Sequence, residues 1–283
     1  MELVISNAID FLGEHKDYLL KRESVSQLIL FNAMAKAKEE NQDSYLFGKI
    51  VNGDDALIVF CNILPYKLLI YSEEKEVKED AMELLARYIL EHNIEINGVN
   101  SNSIYTTAFI EQYRKLTNVE FKQILAMDIM ELRELSSVDL TKGHSRLANA
   151  KDRDLMAQWE SEFAFEALGE VIDPNRILEK VERQIEHQVF YLFENEENEI
   201  VSMAAPARKL IHGTCINYVY TPKKYRGRNY AMTNMYHLCN QLLKDGNQFV
   251  TLFVDKTNPI SNRVYKKIGF QIIEDCYDYS IIK

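Results

Sequence analysis

A chain of 283 residues, 47% hydrophobic and 27% charged, has the makings of one large or two ordinary soluble domains, and 5 prolines and 10 glycines leave little room for long linkers. A net charge of −10 excludes a general nucleic-acid binder, which needs a basic face, and suits a cationic acceptor or a solvated acidic surface. Cys61, Cys215, Cys239 and Cys276 lack CxxC spacing and read as reduced, mostly buried thiols; Met1–Ser6 lacks a leader's basic and apolar regions, and no apolar run approaches the ~20 residues of a membrane span, so the expectation is a cytoplasmic protein without a membrane partner.

Apolar periodicity predicts helices over 8–20 and 22–41. Strands follow at 45–51, 56–63 and 67–71, the first two joined by the hairpin-turn sequence Asn52-Gly53-Asp54. Residues 76–92 carry Val77, Ala81, Leu84, Leu85, Tyr88 and Ile89 on one helical side. The run Glu73-Glu74-Lys75-Glu76 before it is favourable charge at a helix N-terminus and would repel a phosphate. A strand at 94–99, a helix at 103–116 with Ser103 as its cap, and a strand at 119–132 complete this half. His15 and His92 are isolated, and this half carries no catalytic motif. Polar, turn-forming residues mark a boundary at 136–143.

The pattern then resumes with a strand at 145–150 and a helix at 152–168, which interleaves Trp159 and Phe163 with Glu160, Glu162 and Glu166. A helix at 174–187 has Asp173 as cap and Pro174 at its first position. Strands at 189–194, 200–205 and 213–220 lead to a helix at 228–244, with Ala231, Met235, Leu238 and Leu242 inward. Residues 248–254 are apolar without alternation, which suits a central strand buried on both faces. Asn258 caps a short helix with Ile260 and Val264 as its buried side and Gly269 at its end; 270–273 and 276–282 read as a last pair of strands. Both halves share one order of elements. The expectation is two copies of one unit, 1–138 and 139–283, of which the second keeps the chemistry.

The stretch Val219-Tyr220-Thr221-Pro222-Lys223-Lys224-Tyr225-Arg226-Gly227-Arg228-Asn229-Tyr230-Ala231 reads as a strand end, a basic turn and a helix start. A helix N-terminus holds unpaired N–H donors and roughly half a positive charge, so it is an anion site, here with Arg226 and Arg228 alongside. Residues 226–231 approach the pattern Arg/Gln-x-x-Gly-x-Gly/Ala. Residues 258–270, Asn-Pro-Ile-Ser-Asn-Arg-Val-Tyr-Lys-Lys-Ile-Gly-Phe, approach Asn-Pro-x-Ser-x-x-x-Tyr-x-x-x-Gly-Phe. On these two stretches, in order and separated by a helix and a strand, residues 143–283 resemble the GNAT family of N-acetyltransferases. The paired layout resembles bacterial two-domain members with a degenerate N-terminal copy.

The resemblance implies an α/β (α+β) fold: two GNAT-like units in tandem, each a mixed, mostly antiparallel twisted sheet flanked by helices. It implies acetyl-CoA as co-substrate. Arg226, Gly227, Arg228, Asn229, Tyr230 and Ala231 would wrap its pyrophosphate, and Val219, Tyr220 and Thr221 would bond the pantetheine arm where their strand splays from 249–254. Asn258 would contact the cofactor and Tyr265 would sit near its sulfur. Asn229 departs from the family's glycine, although asparagine tolerates left-handed backbone better than most residues.

Acyl transfer from a thioester to an amine needs a neutral amine, a stabilised oxyanion and a proton for the thiolate. A backbone N–H at a strand irregularity near Val219 could polarise the carbonyl. Tyr265, a phenol with an ordinary pKa near ~10, is the candidate general acid. Asp255 and Glu162 are the candidate bases, with Glu166 beside Glu162; each is also explained as a solvated or capping carboxylate, and a water relay would serve equally. The expected activity is acetyl transfer from acetyl-CoA to a primary amine by direct attack, without a metal. The alternative is a non-catalytic acyl-CoA-binding, sensor or interaction module. The first half could shape the acceptor site, make a homodimer or cover a sheet edge.

Overall fold

The computed structural model describes residues 1–39, 45–53 and 55–282. Its elements run β1 (Glu2–Ser6), α1 (Ala8–Leu20), α2 (Glu23–Lys36), β2 (Tyr45–Asn52), β3 (Asp55–Ile63), β4 (Leu68–Tyr71), α3 (Glu79–Glu91), β5 (Gly98–Ser101), α4 (Ser103–Leu116) and β6 (Glu120–Leu132). They continue with β7 (His144–Leu147), α5 (Arg153–Leu168), α6 (Pro174–Glu186), β8 (Tyr191–Glu194), β9 (Ile200–Lys209), β10 (Gly213–Tyr220), α7 (Tyr230–Lys244), β11 (Phe249–Asp255), α8 (Pro259–Ile268) and β12 (Gln271–Ile282). One order therefore occurs twice: strand, two helices, three strands, helix, strand, helix, strand.

The chain forms two compact units that are not its two linear halves. The first comprises Met1–Ile129, Val254–Thr257 and Ile272–Lys283; the second comprises Met130–Phe253 and Asn258–Gln271. The last strand thus folds with the first unit, pairing antiparallel with β5 from Tyr277↔Ser101 to Ser280↔Gly98. Gly98 permits this approach, since an added Cβ would meet the Tyr279 carbonyl oxygen at 1.8 Å. β12 is one continuous strand, where two were expected. Its middle, Glu274-Asp275, is polar but bonded: Arg22 donates to Glu274, and the Ser103 N–H and hydroxyl donate to Asp275.

In the first unit the antiparallel run β1-β2-β3-β4 continues through a parallel β4–β5 pair. Alternation along its strands sends side chains to two cores. Phe47, Val59, Cys61 and Leu69 meet Phe11, Leu19 and Leu30 of α1 and α2; Phe60, Leu68 and Ile70 meet Met82, Leu85 and Phe109 of α3 and α4. Each fully buried Phe or Leu contributes roughly 1.5–3 kcal/mol. β1 was not expected from the sequence: it is a short edge strand held by backbone pairing from Glu2↔Val51 to Ser6↔Phe47. Asn102, not Ser103, caps α4, its side chain accepting from the Tyr105 N–H. Of the expected hairpin turn, Gly53 has φ 71°, while Asp54, like residues 40–41 of the expected second helix, lies outside the described residues.

In the second unit the order is β11-β10-β9-β8-β7. Trp159 of α5 and Val181 of α6 pack against Leu192, Met203 and Tyr220. The start of α5 is tied to the sheet by charge. Arg146 of β7 donates to both oxygens of Asp152 at 2.7 and 2.9 Å and to Glu194 of β8 at 2.6 Å. The expected strand at 145–150 ends at Leu147 because Asn149 and Asp152 form a capping box that turns the chain into a helix.

Asp152 is 5% exposed. Burial alone would raise its carboxyl, but Arg146 and the Asn149 N–H outweigh this and hold it below the ordinary carboxylate range. A depressed folded-state pKa contributes stability above the ordinary carboxylate pKa and loses it as pH falls through the folded value. Asp152→Asn should therefore cost roughly 3 kcal/mol near neutrality, as for breaking a buried pair. In urea unfolding across the acid range, the gap to wild type should narrow as pH falls; a gap independent of pH would show that the carboxylate's charge is not its source.

Candidate active site

β10 is the strand on which the site is built. It pairs in parallel with β11 only from Gly213↔Phe249 to Cys215↔Thr251, and its remaining residues run on beyond that ladder. On its other side the register with β9 shifts between Asn217 and Tyr220. At this break Tyr218 has φ 54°, a left-handed conformation rare for a bulky residue. Its N–H is bonded by the side-chain oxygen of Asn217 at 2.8 Å. The strand irregularity expected near Val219 is therefore present, one residue before it. The separation of β10 from β11 leaves a notch of the kind in which a linear ligand can bond a strand backbone.

The chain then passes through a short 3-10 turn at Lys223–Tyr225 into α7. α7 begins at Tyr230, not at 228, because two left-handed residues precede it: Gly227 at φ 80° and Asn229 at φ 60°, ψ 12°. Asn229 makes no side-chain cap, so its role is conformational. Gly227 is exposed, and a Cβ there would meet nothing within 4 Å. Tyr230 turns inward onto Phe193 and Tyr225. Ala231, expected on the buried face, is only half-buried; Met232, Met235, Leu238 and Leu242 form that face. The turn is fastened from outside: the Thr141 hydroxyl donates to the Arg228 carbonyl, and the Thr141 N–H donates to the Thr233 hydroxyl.

Arg226 is exposed, but its guanidinium is engaged. Its Nε donates to the Thr221 carbonyl at 2.8 Å and its Nη2 to Glu166 at 2.6 Å, with the guanidinium beside the Tyr220 ring. The Tyr220 hydroxyl in turn lies 2.8 Å from Glu162 and 3.2 Å from Glu166. These carboxylates are four residues apart on α5 and so share one face. For Glu166, burial raises the carboxyl, but Arg226, Tyr220 and Lys223 outweigh it and leave it below the ordinary range. The Tyr220 phenol is pushed up by burial and by both carboxylates, so it stays protonated. Glu162 has both oxygens engaged, one by Tyr220 and one by Gln158 at 2.8 Å. Arg228, Lys223 and Lys224 are exposed.

On α8, Asn258 caps the first turn by accepting from the Ser261 N–H at 3.0 Å, and its carbonyl accepts from Asn262. Its side-chain oxygen is thus committed to the helix, leaving the amide nitrogen for a ligand. Ile260, expected to be buried, is 74% exposed; Tyr265 and Ile268 form the inner face, with Val264 half-buried, because Ile260 falls in the first turn on the outer side. Tyr265 packs on Phe270. Burial, with Cys239 nearby, pushes its phenol well above the ordinary value, so it keeps its proton at neutral pH. Asp255 belongs to the first unit, where one oxygen accepts from both the N–H and the hydroxyl of Thr257 at 2.7 Å. The four cysteines are free and buried. Among the described residues no group of His, Cys, Asp and Glu is placed to hold a metal ion, and no helix is long and apolar enough to cross a membrane.

A break in a strand followed by an exposed left-handed turn and a helix start is a peptide-like groove ending in an anion site. Residues 152–270, which contain all of it, match the family model described as the Acetyltransferase (GNAT) family. Likeness to solved structures extends the fold to both units. A GCN5-related N-acetyltransferase from Sphaerobacter thermophilus superposes with a TM-score of 0.65 at 12% identity, covering 99% of this chain and 95% of that one. An acetyltransferase from the GNAT family from Colwellia psychrerythraea gives 0.58 at 10% identity over 99% and 100%. A tandem GNAT protein from the clavulanic acid biosynthesis pathway gives 0.52 at 9% identity over 99% and 98%. No curated protein sequence matches. The fold is that of a tandem GNAT protein.

Sequence reasoning singled out Arg226, Gly227, Asn229, Tyr220 and Tyr265 as candidates, and Glu162 and Glu166 lie on α5, the helix expected over 152–168. It did not single out Lys180, whose partner Tyr218 lies on a strand 38 residues further on. The left-handed backbone at Asn229 also sets a test. Asn229→Ala should lower stability by about 1 kcal/mol, the cost of left-handed backbone with an ordinary Cβ, while Asn229→Gly should change it little. Urea midpoints of the two variants check this; equal midpoints would mean that the turn relaxes to another conformation.

Proposed function

We propose that this protein is an acetyl-CoA-dependent N-acetyltransferase acting on a primary amine by direct attack. The observation that carries the reading is the interruption of β10 at Tyr218, directly followed by the exposed turn at Gly227 and the left-handed Asn229 before α7. Residues 226–231 would hold the pyrophosphate through backbone N–H groups at the helix start, with Arg228 free to approach it. Arg226 would act mainly by bracing the turn through Thr221 and Glu166. Val219, Tyr220 and Thr221 would bond the pantetheine arm, and the amide nitrogen of Asn258 remains available beside it. The co-substrate supplies an acetyl group already activated as a thioester.

The rest falls to this chain's own groups. The Val219 N–H is the candidate to stabilise charge growing on the carbonyl oxygen. The amine nitrogen forms the new C–N bond as the C–S bond breaks, and the departing sulfur takes a proton, for which Tyr265 is the candidate donor. The proton leaving the amine needs an acceptor. Glu162 and Glu166 are the carboxylates nearest the end of β10 in their hydrogen bonding, through Tyr220; a water held by either would relay it. Asp255 remains a candidate by its place at the end of β11. The acidic pair and the chain's net charge favour a cationic amine. Buried free thiols suit a reducing cytoplasm.

One observation favours a second reading. Both oxygens of Glu162 already carry hydrogen bonds, which is what an acyl-CoA-binding or sensor module without turnover would also have. The test is release of free CoA from acetyl-CoA in the presence of a panel of amines, with calorimetric CoA binding in parallel. The expected result is turnover by wild type and a loss of about 10²-fold or more in kcat for Tyr265→Phe, with CoA affinity retained. Tight CoA binding without turnover on any amine would support the sensor reading, and absence of CoA binding would overturn both.

A further inference from the structure

Tyr218 holds a conformation that its own chemistry disfavours. A bulky residue at φ 54° persists only where its surroundings over-determine it. The Asn217 side chain supplies one restraint, on the backbone. The other is on the side chain. The ring packs against Phe163 of α5 and Phe190, with centroids 5.6 and 5.8 Å away. Lys180 of α6 donates to the phenol oxygen at 2.7 Å. The same ammonium donates to Glu160 of α5 at 2.8 Å. Glu160 is 2% exposed, and the Gln184 side chain of α6 also lies against its carboxylate.

A carboxylate this buried is costly unless paired, and an arrangement made only for stability would be served as well by apolar side chains. Burial pushes the Glu160 carboxyl up, with Lys180 opposing; burial lowers the Lys180 ammonium, but Glu160 and Tyr218 outweigh this, so the lysine stays charged. What the pair does achieve is directional. It ties the Tyr218 hydroxyl to α5 and α6, and the residue after Tyr218 is the one whose N–H is the candidate oxyanion donor.

We propose that Lys180 and Glu160 are positioning residues: through the phenol of Tyr218 they hold the break in β10 so that the Val219 N–H points at the acyl carbonyl. This rests on the acetyltransferase reading given above. Neither residue touches the reacting atoms. The chain from Glu160 to Lys180 to Tyr218 acts on the backbone of β10, whereas Glu162, Glu166 and Arg226 act on the turn that follows it.

The experiment uses the full chain with Tyr218→Phe, Lys180→Met and the double variant Glu160→Gln/Lys180→Met, which avoids leaving an unpaired buried carboxylate. Two readouts are taken: the NMR shifts of the Tyr218 and Val219 amides, which need no activity, and steady-state CoA release. The expected result is a displaced Val219 amide resonance in all three. The kcat should fall about tenfold or more, as when an oxyanion donor is misplaced, with KM for acetyl-CoA within about twofold of wild type. Lys180→Arg, which keeps a charged donor, should recover part of kcat. An unmoved Val219 amide, or a loss of kcat that merely tracks the fall in Tm, would overturn the inference. If wild type releases no CoA on any amine, the acetyltransferase reading fails, and with it the catalytic part of this one; the amide shifts still decide whether the pair holds the break.

Discussion

The second unit depends on the interruption of one strand. If β10 continued its parallel ladder with β11 to the end, the notch beside Ile216–Tyr220 would be closed by backbone hydrogen bonds. The ladder stops at Cys215, and the left-handed turn at Tyr218 breaks the register with β9 as well. A strand end left without its neighbour must find other partners for its polar groups. Here the Tyr220 carbonyl accepts from Ser202 and the Thr221 carbonyl accepts from Arg226. The same break brings Tyr220 under α5, where Glu162 and Glu166 meet it, so one backbone event sets the notch, the turn and the acidic pair together.

The parts of the site legible in the sequence were those coded locally. Gly227, Asn229 and Pro259 report backbone conformation by their own chemistry, and the order strand, turn, helix follows from neighbouring residues. Tyr265 was found because it stands at a fixed offset from Asn258 along one short helix. What stayed hidden was non-local. Nothing near Lys180 in sequence points to Tyr218, and a lysine on a helix reads as a solvated charge until the fold brings a strand beneath it. β1 escaped because an edge strand needs little apolar signal of its own. Ile260 was misplaced because a first-turn residue obeys the direction in which the helix starts rather than the stripe that follows.

The two units share one topology and differ in what their strand ends carry. In the first, β4 and β5 also pair in parallel over only two residue pairs, Leu68↔Val99 and Leu69↔Asn100, and Asn102 caps α4 as Asn258 caps α8. Yet Glu73 and Glu74 stand where the second unit has its basic turn. The Tyr18 hydroxyl accepts from the Glu73 N–H, and the Tyr105 hydroxyl donates to the Glu74 carbonyl. The Glu73 N–H, a donor that an anion would use, is thus taken by a tyrosine, and the charge nearby has the wrong sign for phosphate. The fold is preserved by its apolar alternation, which does not depend on what the strand ends bind.

The pairing of β12 with β5 has a consequence for how the protein is made. β12 is the last strand in the sequence, yet it completes the sheet of the unit that is synthesised first. A growing chain therefore carries β5 with one edge open from the time residue 101 is made until β12 follows. The first unit cannot close until the second has been synthesised. A fragment cut at the linear midpoint would leave that edge bare, and a bare edge is a template for aggregation. Dividing this protein into two independently expressed halves would thus require moving β12 onto the end of the first.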